Sequence, residues 1–447
     1  MNKIVKLKKI VKKYQVQGYL VGGVIRDILL DRQFNDIDVV INKQIKEVAS
    51  QFAKQTNSSL VVLDKKREIY RVVMDEFNYD FAPLQGSSIN EDLTSRDFTI
   101  NALAVPLSKV CLKNGKIAFL NKALIDLFKG EKDLKEGIIR VVNDEAFATD
   151  PLRLIRAVRF KARLDFAITR STEKLMGQVE DRINQIANER IKAELIKILE
   201  CNNAAFNIVY LEDKFSFFSK VFPIVKELKQ INQSKDYCED RWSHNICAIE
   251  KLEQLWNNDK FWDERIEVKW LPRLKFTLLF CGIEDLLNKE IITQLPSILK
   301  EFTFSNQEVS YIVRLIKYRL KAINFLHTDN LKFKKKYYFF KEVSSLTTDV
   351  CLLALADIIS NQRLNDNDKE VKDSLIFFKE LVREGENLQK KTAKRLLTGK
   401  DIIRLFSISE GPKVGELLKK VELNQAAGKI STKEEAIKYI KNELSAF

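Results

Sequence analysis

The chain has 447 residues, 45% of them apolar and 10% aromatic, enough for two to four domains with well-buried cores. Lys and Arg number 76 against 62 Asp and Glu, a formal net charge of +14 that favours a polyanionic partner, nucleic acid first. There is no run of eighteen apolar residues, no signal-peptide pattern and no CxxC spacing among Cys111, Cys201, Cys238, Cys247, Cys281 and Cys351. A membrane span, a secretory leader, a zinc site and a disulfide framework are therefore not expected, and the thiols are expected to be reduced and buried in a cytoplasmic protein.

The first predicted element, "MNKIVKLKKIVKKY", is a basic amphipathic helix. "YLVGG" follows as a strand running into Gly22-Gly23, and "VIRDILL" resumes as a helix. Backbone N–H groups at such a turn attract phosphate, and Arg26 adds a guanidinium one turn later. Neither GxGxxG nor GxxxxGK[ST] is present, so the glycine pair taken alone equally suits a plain tight turn.

The strand "DIDVVI" puts Asp36 and Asp38 on one face and Ile37 and Val39 on the other. Two carboxylates this close suit magnesium, although two solvated acids on an exposed edge have the same spacing. "SLVVLD" and "IYRVVM" read as further strands around a short "DKKRE" turn. "NYDFAPL" then offers Asp80 as a third outward acid. Three acids on neighbouring strands can hold two cations for phosphoryl or nucleotidyl transfer.

In "SRDFTINALAV", Arg96 can neutralise a phosphate, while Asp97 and Asn101, four apart on an expected helix start, can hold a ribose hydroxyl; Asp97 also fits a helix N-cap. In "DPLRLIRAVRFKARL", Asp150, Arg153, Arg156 and Arg159 recur at steps of three. A carboxylate and a guanidinium fork can address a base edge, and a surface ion-pair ladder fits the same spacing. From about residue 143 onward the apolar spacing is helical.

These segments, in this order and together with "IDLFKGEKDLKEGIIRVV" and "NERIKAELIKIL", resemble the class II tRNA nucleotidyltransferase and bacterial poly(A) polymerase family over residues 19–200. The resemblance implies an α+β fold: a polymerase-β-like nucleotidyltransferase head, a mixed sheet with helices, followed by an elongated all-helical neck, body and tail. It places the head at 1–142, the neck at 143–205, the body at 206–380 and a tRNA-binding tail at 381–447. It implies two Mg2+ ions on Asp36, Asp38 and Asp80, and nucleotide contacts from Gly22, Gly23, Arg26, Asp27, Arg96, Asp97, Asn101, Arg156 and Arg159. Asp150 and Arg153 would act as a protein template for the base. ATP, CTP and tRNA would be the substrates, with no membrane or DNA partner expected.

By the same resemblance Asp126, Gly130 and Asp133 are structural turns and hinge, and Glu189 and Arg190 make packing or ion-pair contacts. The family's usual acidic residue and arginines are replaced by Thr149, Ser95 and Gln85. "DRWSHNICAIEKLEQL" and "LKFTLLFCGIEDLL" resemble HD phosphohydrolase helices, but Cys281-Gly282 stands where the His-Asp pair is needed. His244 is then a core or surface histidine. In the tail, Gly411, Pro412 and Gly415 mark a helix start beside Lys413, and "NLQKKTAKR" adds Lys394 and Arg395 as RNA-binding candidates, or a solvated charged helix.

The expected activity is addition or repair of the 3′-terminal CCA of tRNA with release of pyrophosphate. CC-only addition, A-only addition, poly(A) synthesis and a non-catalytic RNA-binding role are the alternatives.

Overall fold

The computed structural model describes residues 3–74, 77–113, 116–232, 240–257, 271–285, 289–360, 369–392 and 395–445. The chain divides into two compact units, Met1–Cys201 with Tyr210–Val221, and Asn202–Val209 with Phe222–Phe447. The first begins with α1 (Lys3–Lys13), whose Ile4, Leu7, Ile10 and Val11 fall at helical spacing and are buried.

Next come β1 (Gly18–Val21), α2 (Gly23–Leu29), β2 (Asp36–Ile41), α3 (Ile45–Thr56), β3 (Ser59–Asp64), β4 (Ile69–Val73), β5 (Asn78–Pro83) and α4 (Ile89–Thr94). They are followed by β6 (Leu103–Pro106), the hairpin of β7 (Val110–Lys113) and β8 (Lys116–Phe119), β9 (Ile125–Asp126) and α5 (Gly130–Glu136). Seven strands form one mixed sheet in the order β3-β4-β5-β2-β1-β6-β9. Its neighbours pair antiparallel except β2 and β5, which run parallel. Parallel strands need a crossover, supplied here by α3 and the β3–β4 hairpin.

The two-residue period of each strand sorts the faces of this sheet. Tyr79 and Phe81 meet Phe52 of α3 edge-on, with ring centroids 4.9 and 5.7 Å apart, and Ile37 and Val39 lie opposite them in register on that same face. Asp36, Asp38 and Asp80 consequently share the other face. There Val40 is sealed by Val21, Leu93, Ala102 and Ala104, so the acid-bearing end of β2 is the part left open.

Between α4 and β6 the chain makes a single 3-10 turn, Thr99–Asn101, with Phe98 at its cap position; Asp97 is not a helix N-cap and no α-helix starts here. The turn is held from outside. The Thr99 N–H donates to the Arg140 carbonyl at 2.9 Å and the Thr99 hydroxyl donates to Asp133 at 2.7 Å. Asp126 accepts from the N–H groups of Gly130 and Glu131 at 2.7 and 2.9 Å, which caps α5 and presses it against the turn. Asp126, Gly130 and Asp133 are bracing groups for the Arg96–Asn101 segment.

The unit is completed by β10 (Ile138–Ile139), α6 (Ala146–Thr149), α7 (Arg153–Leu164), β11 (Ala167–Ile168), α8 (Arg170–Gly177) and α9 (Asn188–Leu199). α7 buries Leu154, Ile155, Val158 and Phe160, and it packs on α9 through a buried Arg159–Glu194 ion pair of 3.1 Å.

The regular elements of the second unit's described residues are all helices, apart from one isolated antiparallel bridge between Asn232 and Asp240. Its central helix, Thr347–Ser360, is buried along its whole length and contacts the helices Arg241–Asn257 and Asn306–Leu326. The stretch Phe333–Ser360 is apolar enough to cross a membrane by composition, but 67% of its eighteen-residue apolar window is buried inside the protein. His244 is a core histidine: its Nε2 lies 2.8 Å from Asp357, which also meets Arg241 at 3.1 Å and Arg319 at 3.6 Å. Burial pushes the neighbouring Cys281 thiol up to about 12. A smaller core of Leu397, Ile402, Leu417, Val421 and Ile440 joins the last three helices.

The cysteines are less uniformly buried than expected. Cys281 and Cys351 are buried, Cys201 and Cys247 half-buried, and Cys111 is exposed on the outer side of the β7–β8 hairpin. Cys238 and most of the polar segments "NQSKDYCED" (232–240) and "NDNDKE" (365–370), which the sequence suggests as breaks between helices, lie outside the described residues.

A Cβ at Gly130 would stand 2.2 Å from the Thr99 carbonyl oxygen, a contact with backbone that only a shift of α5 or of the turn relieves. Gly130→Ala is expected to destabilise the first unit by about 1–3 kcal/mol, read as a lower midpoint in chemical denaturation, with an accompanying loss of nucleotide affinity.

Candidate active site

A cleft of about 410 Å³ opens in the first unit between α2, the 96–101 turn, one face of α7 and the start of α9. Its lining contains ten of the proposed nucleotide contacts, namely Gly22, Gly23, Arg26, Arg96, Asp97, Asn101, Asp150, Arg153, Arg156 and Arg159, together with Asp38. Seven arginines face three aspartates around it, a balance suited to a polyphosphate. Gly22 has φ +67°, and a Cβ there would meet the Arg96 guanidinium at 2.8 Å. The turn therefore needs glycine for its backbone angle, and any larger residue would also push the end of the Arg96 side chain aside.

Asp97 organises the floor. Its Oδ1 accepts from the Phe98 N–H at 2.8 Å and from the Asn101 amide at 3.0 Å, and its Oδ2 accepts from Arg156 Nε at 2.8 Å. Burial opposes ionisation of Asp97, yet the Arg156 charge and these hydrogen bonds hold its carboxyl below the usual carboxylate range. Asn101 in turn accepts from Arg26 Nη1 at 2.7 Å. Asp97 and Asn101 thus face each other at the cleft and hold Arg156 and Arg26 in place.

Asp27 also departs from expectation. Both of its oxygens are taken by Arg26, at 2.9 and 3.0 Å, and it does not line the cleft; it orients the guanidinium. Arg26, Arg156 and Arg159 surround the ring of Phe160, at 5.3, 5.7 and 4.2 Å from its centroid. Burial, opposed by Glu194, brings Arg159 down to about 10.

Asp150 and Arg153 are both at the cleft but not bonded to each other. Arg153 donates to the carbonyls of Ser95 and Arg96 at 2.7 and 3.3 Å, and Asp150 is paired with Arg190 at 2.7 Å. Arg190, expected only to make an ion pair, therefore also lines the site. Phe160 and Arg163 were not anticipated from sequence. Phe160 sits inside the repeating arginine pattern, where an aromatic at the same helical face was the available signal.

The parallel register of β2 and β5 sets Asp38 directly opposite Asp80 and Asp36 opposite Asn78. Burial first, then the neighbouring Asp80 and Asp36 charges, push the Asp38 carboxyl up to about 6, against the pull of Arg96 and Arg26. Asp38 accepts no hydrogen bond among the described residues. Asp80 is instead gripped by Arg71, whose Nε and Nη2 donate to its two oxygens at 2.7 Å each, and Nη2 lies 3.6 Å from Asp36. Among the described residues no three acidic, His or Cys side chains stand close enough to share one metal ion. The expected trio is thus in one row but not gathered, because mutual repulsion is relieved by a guanidinium at Asp80. Asp36 and Asp38 have the hard oxygen donors that fit a divalent cation, and Asp38 has no hydrogen-bond donor or ion pair of its own among the described residues.

In the tail, Lys413 is exposed at the start of helix Pro412–Ala426, and Arg395 is exposed with Glu422 at 3.9 Å; Lys394 lies outside the described residues.

The mixed sheet, the arginine-lined cleft and the acid row define a polymerase-β-like nucleotidyltransferase. Residues 18–140 match the "Poly A polymerase head domain", residues 165–228 the "Probable RNA and SrmB- binding site of polymerase A", and residues 286–440 domain 2 of tRNA nucleotidyltransferases. The chain is 29% identical to the CC-adding tRNA nucleotidyltransferase of Synechocystis, over 95% of this chain and 92% of that one. It is 27% identical to the A-adding tRNA nucleotidyltransferase of Deinococcus radiodurans, over 94% of both. A solved CCA-adding enzyme in complex with ATP has the same fold, with a TM-score of 0.68 at 24% identity, covering 99% of this chain and 94% of that one. The protein belongs to the class II tRNA nucleotidyltransferase and bacterial poly(A) polymerase family.

Because the folded state holds the Asp38 proton more tightly than the unfolded chain does, protein free of divalent ions should lose stability as pH rises from about 4 to about 6. Melting temperatures of wild type and Asp38→Asn across that window test this: the decline should be shallower in the variant, and parallel curves would remove Asp38 as its source.

Proposed function

We propose that the protein extends the 3′ end of tRNA without a nucleic-acid template, taking CTP and adding the CC of the CCA terminus. The observation that carries this reading is the convergence of Arg26, Arg96, Arg156 and Arg159 with Asp150, Arg153 and Asp38 around one cleft. The arginines bind the triphosphate. Asp150 offers acceptors to the exocyclic amine of cytosine and Arg153 offers donors to its ring nitrogen and carbonyl. Uracil, with acceptor and donor exchanged, is refused by the same pair.

Asp36, Asp38 and Asp80 are the residues that would hold two Mg2+ ions, which when bound supply Lewis acidity to the RNA 3′ hydroxyl and the α-phosphate. The oxygen of that hydroxyl forms a bond to the α-phosphorus, its proton is released, and the bond to the bridging oxygen breaks with pyrophosphate leaving. Buried arginines give the departing charge fixed donors that need no reorganisation. The head at 1–142, neck at 143–205, body at 206–380 and tail at 381–447 remain the proposed division of labour, with Lys413, Lys394 and Arg395 on tRNA and the reaction in the cytoplasm.

Two features favour CC addition over the CCA addition expected from sequence. Among relatives aligned over nearly their full length, the CC-adding enzymes of Synechocystis and Thermus thermophilus are 29% and 28% identical, against 27% for the A-adding enzyme of Deinococcus radiodurans and 24% for a CCA-adding enzyme of Staphylococcus haemolyticus. By family resemblance, addition of all three nucleotides goes with a flexible loop between the DxD strand and the third acid. Here the Asp64 side chain ties the β3–β4 turn by accepting from the Lys66 and Arg67 N–H groups at 2.9 and 3.0 Å. CCA addition using ATP is the second reading, favoured by the likeness to the ATP-bound CCA-adding fold.

Incubating the protein with CTP and ATP and tRNAs lacking three, two or one terminal nucleotides, then sequencing the ends, decides the product. CC addition predicts growth that halts before the last A; a completed CCA end would install the second reading, and a longer A tract would replace both. Asp36→Ala should lower incorporation by at least about a hundredfold while tRNA binding in a gel-shift assay is retained. Arg153→Ala should cut the preference for CTP over UTP by roughly tenfold to a hundredfold, measured as the ratio of kcat/KM values.

A further inference from the structure

β4 carries an arginine into the acid row for a geometric reason. Arg71 is the cross-strand partner of Asp80, and Asp80 is the partner of Asp38 on the next strand, so the three side chains form one line across the sheet. Asp36, two residues before Asp38, lies on the same face. The guanidinium occupies both oxygens of Asp80 and leans toward Asp36, and so engages two of the three acids that would hold a divalent cation. Two acids of the row are thereby answered by one resident cation, while Asp38 makes no ion pair within 4 Å among the described residues.

This cation is placed to leave. The Arg71 side chain keeps 32% of its surface exposed, and its Nη1 group makes no hydrogen bond among the described residues. A paired guanidinium at such a boundary is held by screened attraction and two hydrogen bonds, an interaction that a divalent ion brought in with a triphosphate can outcompete. Arg71 does not itself line the cleft, but it lies in the same cross-strand row as Asp38, which does, and the planar fork of a released guanidinium is well matched to phosphate.

We propose that Arg71 is an exchangeable counter-ion of the acid row: it holds Asp80 and Asp36 in the nucleotide-free enzyme, keeps them closed to free divalent ions, and passes to the triphosphate when the nucleotide and its metal arrive. The inference rests on the assignment of Asp36, Asp38 and Asp80 as the metal-holding acids. Arg71 is on this account a positioning residue whose effect is felt before chemistry.

Electron paramagnetic resonance of Mn2+ titrated into the full-length protein reads the exchange without any turnover. Without nucleotide, Arg71→Ala should bind Mn2+ about fivefold to tenfold more tightly than wild type. Arg71→Lys should lie between them, and the difference should shrink in saturating CTP, where KM for CTP is raised in the alanine variant. Thermal melting gives a second reading: Mn2+ should raise the melting temperature of Arg71→Ala more than that of wild type. Equal or weaker Mn2+ binding by a folded Arg71→Ala overturns the proposal while leaving the acid assignment intact. Wild type that binds no Mn2+ even with CTP overturns both, and unchanged binding in Asp36→Ala with CTP present identifies the acid assignment as the error.

Discussion

Two like charges stand directly opposite each other on hydrogen-bonded strands, and much of the first unit is arranged around that expense. The parallel pairing of β2 with β5 leaves no freedom in the matter: once Ile37, Val39, Tyr79 and Phe81 are buried against α3, Asp38 and Asp80 must share the other face in register. A one-residue slip would spare the carboxylates but would turn four large apolar side chains out of the core. Burial of those groups is worth several kcal/mol, on the scale of about 1.5–3 kcal/mol for each side chain, so the register holds and the charge is managed locally.

That management is uneven, and the unevenness is informative. Asp80 is satisfied by a guanidinium on β4, Asp36 receives an amide hydrogen from Asn78 at 3.2 Å, and Asp38, nearest the cleft, is left without a hydrogen-bond donor. A fold that needed only stability would place an apolar residue at position 38. The unmet charge is retained beside an arginine-rich cavity, where a cation and a polyphosphate would each supply what the other needs.

The cleft is governed by a similar economy, in which acids aim bases. Asp97 and Asp27 spend themselves on Arg156 and Arg26, and Glu194 does the same for Arg159 at the α7–α9 contact. Holding guanidinium groups by buried carboxylates fixes their direction before any ligand is present, which lowers the ordering cost of binding. The bracing segment with Asp126, Gly130 and Asp133 extends the chain of support outward from the turn to α5.

What could be read from the sequence was what depends on local periodicity and side-chain chemistry: the five leading strands, the outward face of Asp36 and Asp38, the glycine turn, and the arginines of α7 at steps of three. Those are properties of a residue and its near neighbours. Which partner each group finds was decided by the tertiary structure alone, because Arg71 meets Asp80 through strand order, Arg190 meets Asp150 through the packing of α9 on α7, and Asp27 turns inward only once Arg26 is placed. Pairings across 9, 40 or 59 residues of chain depend on how faces are buried against one another, and spacing along the sequence carries no record of it.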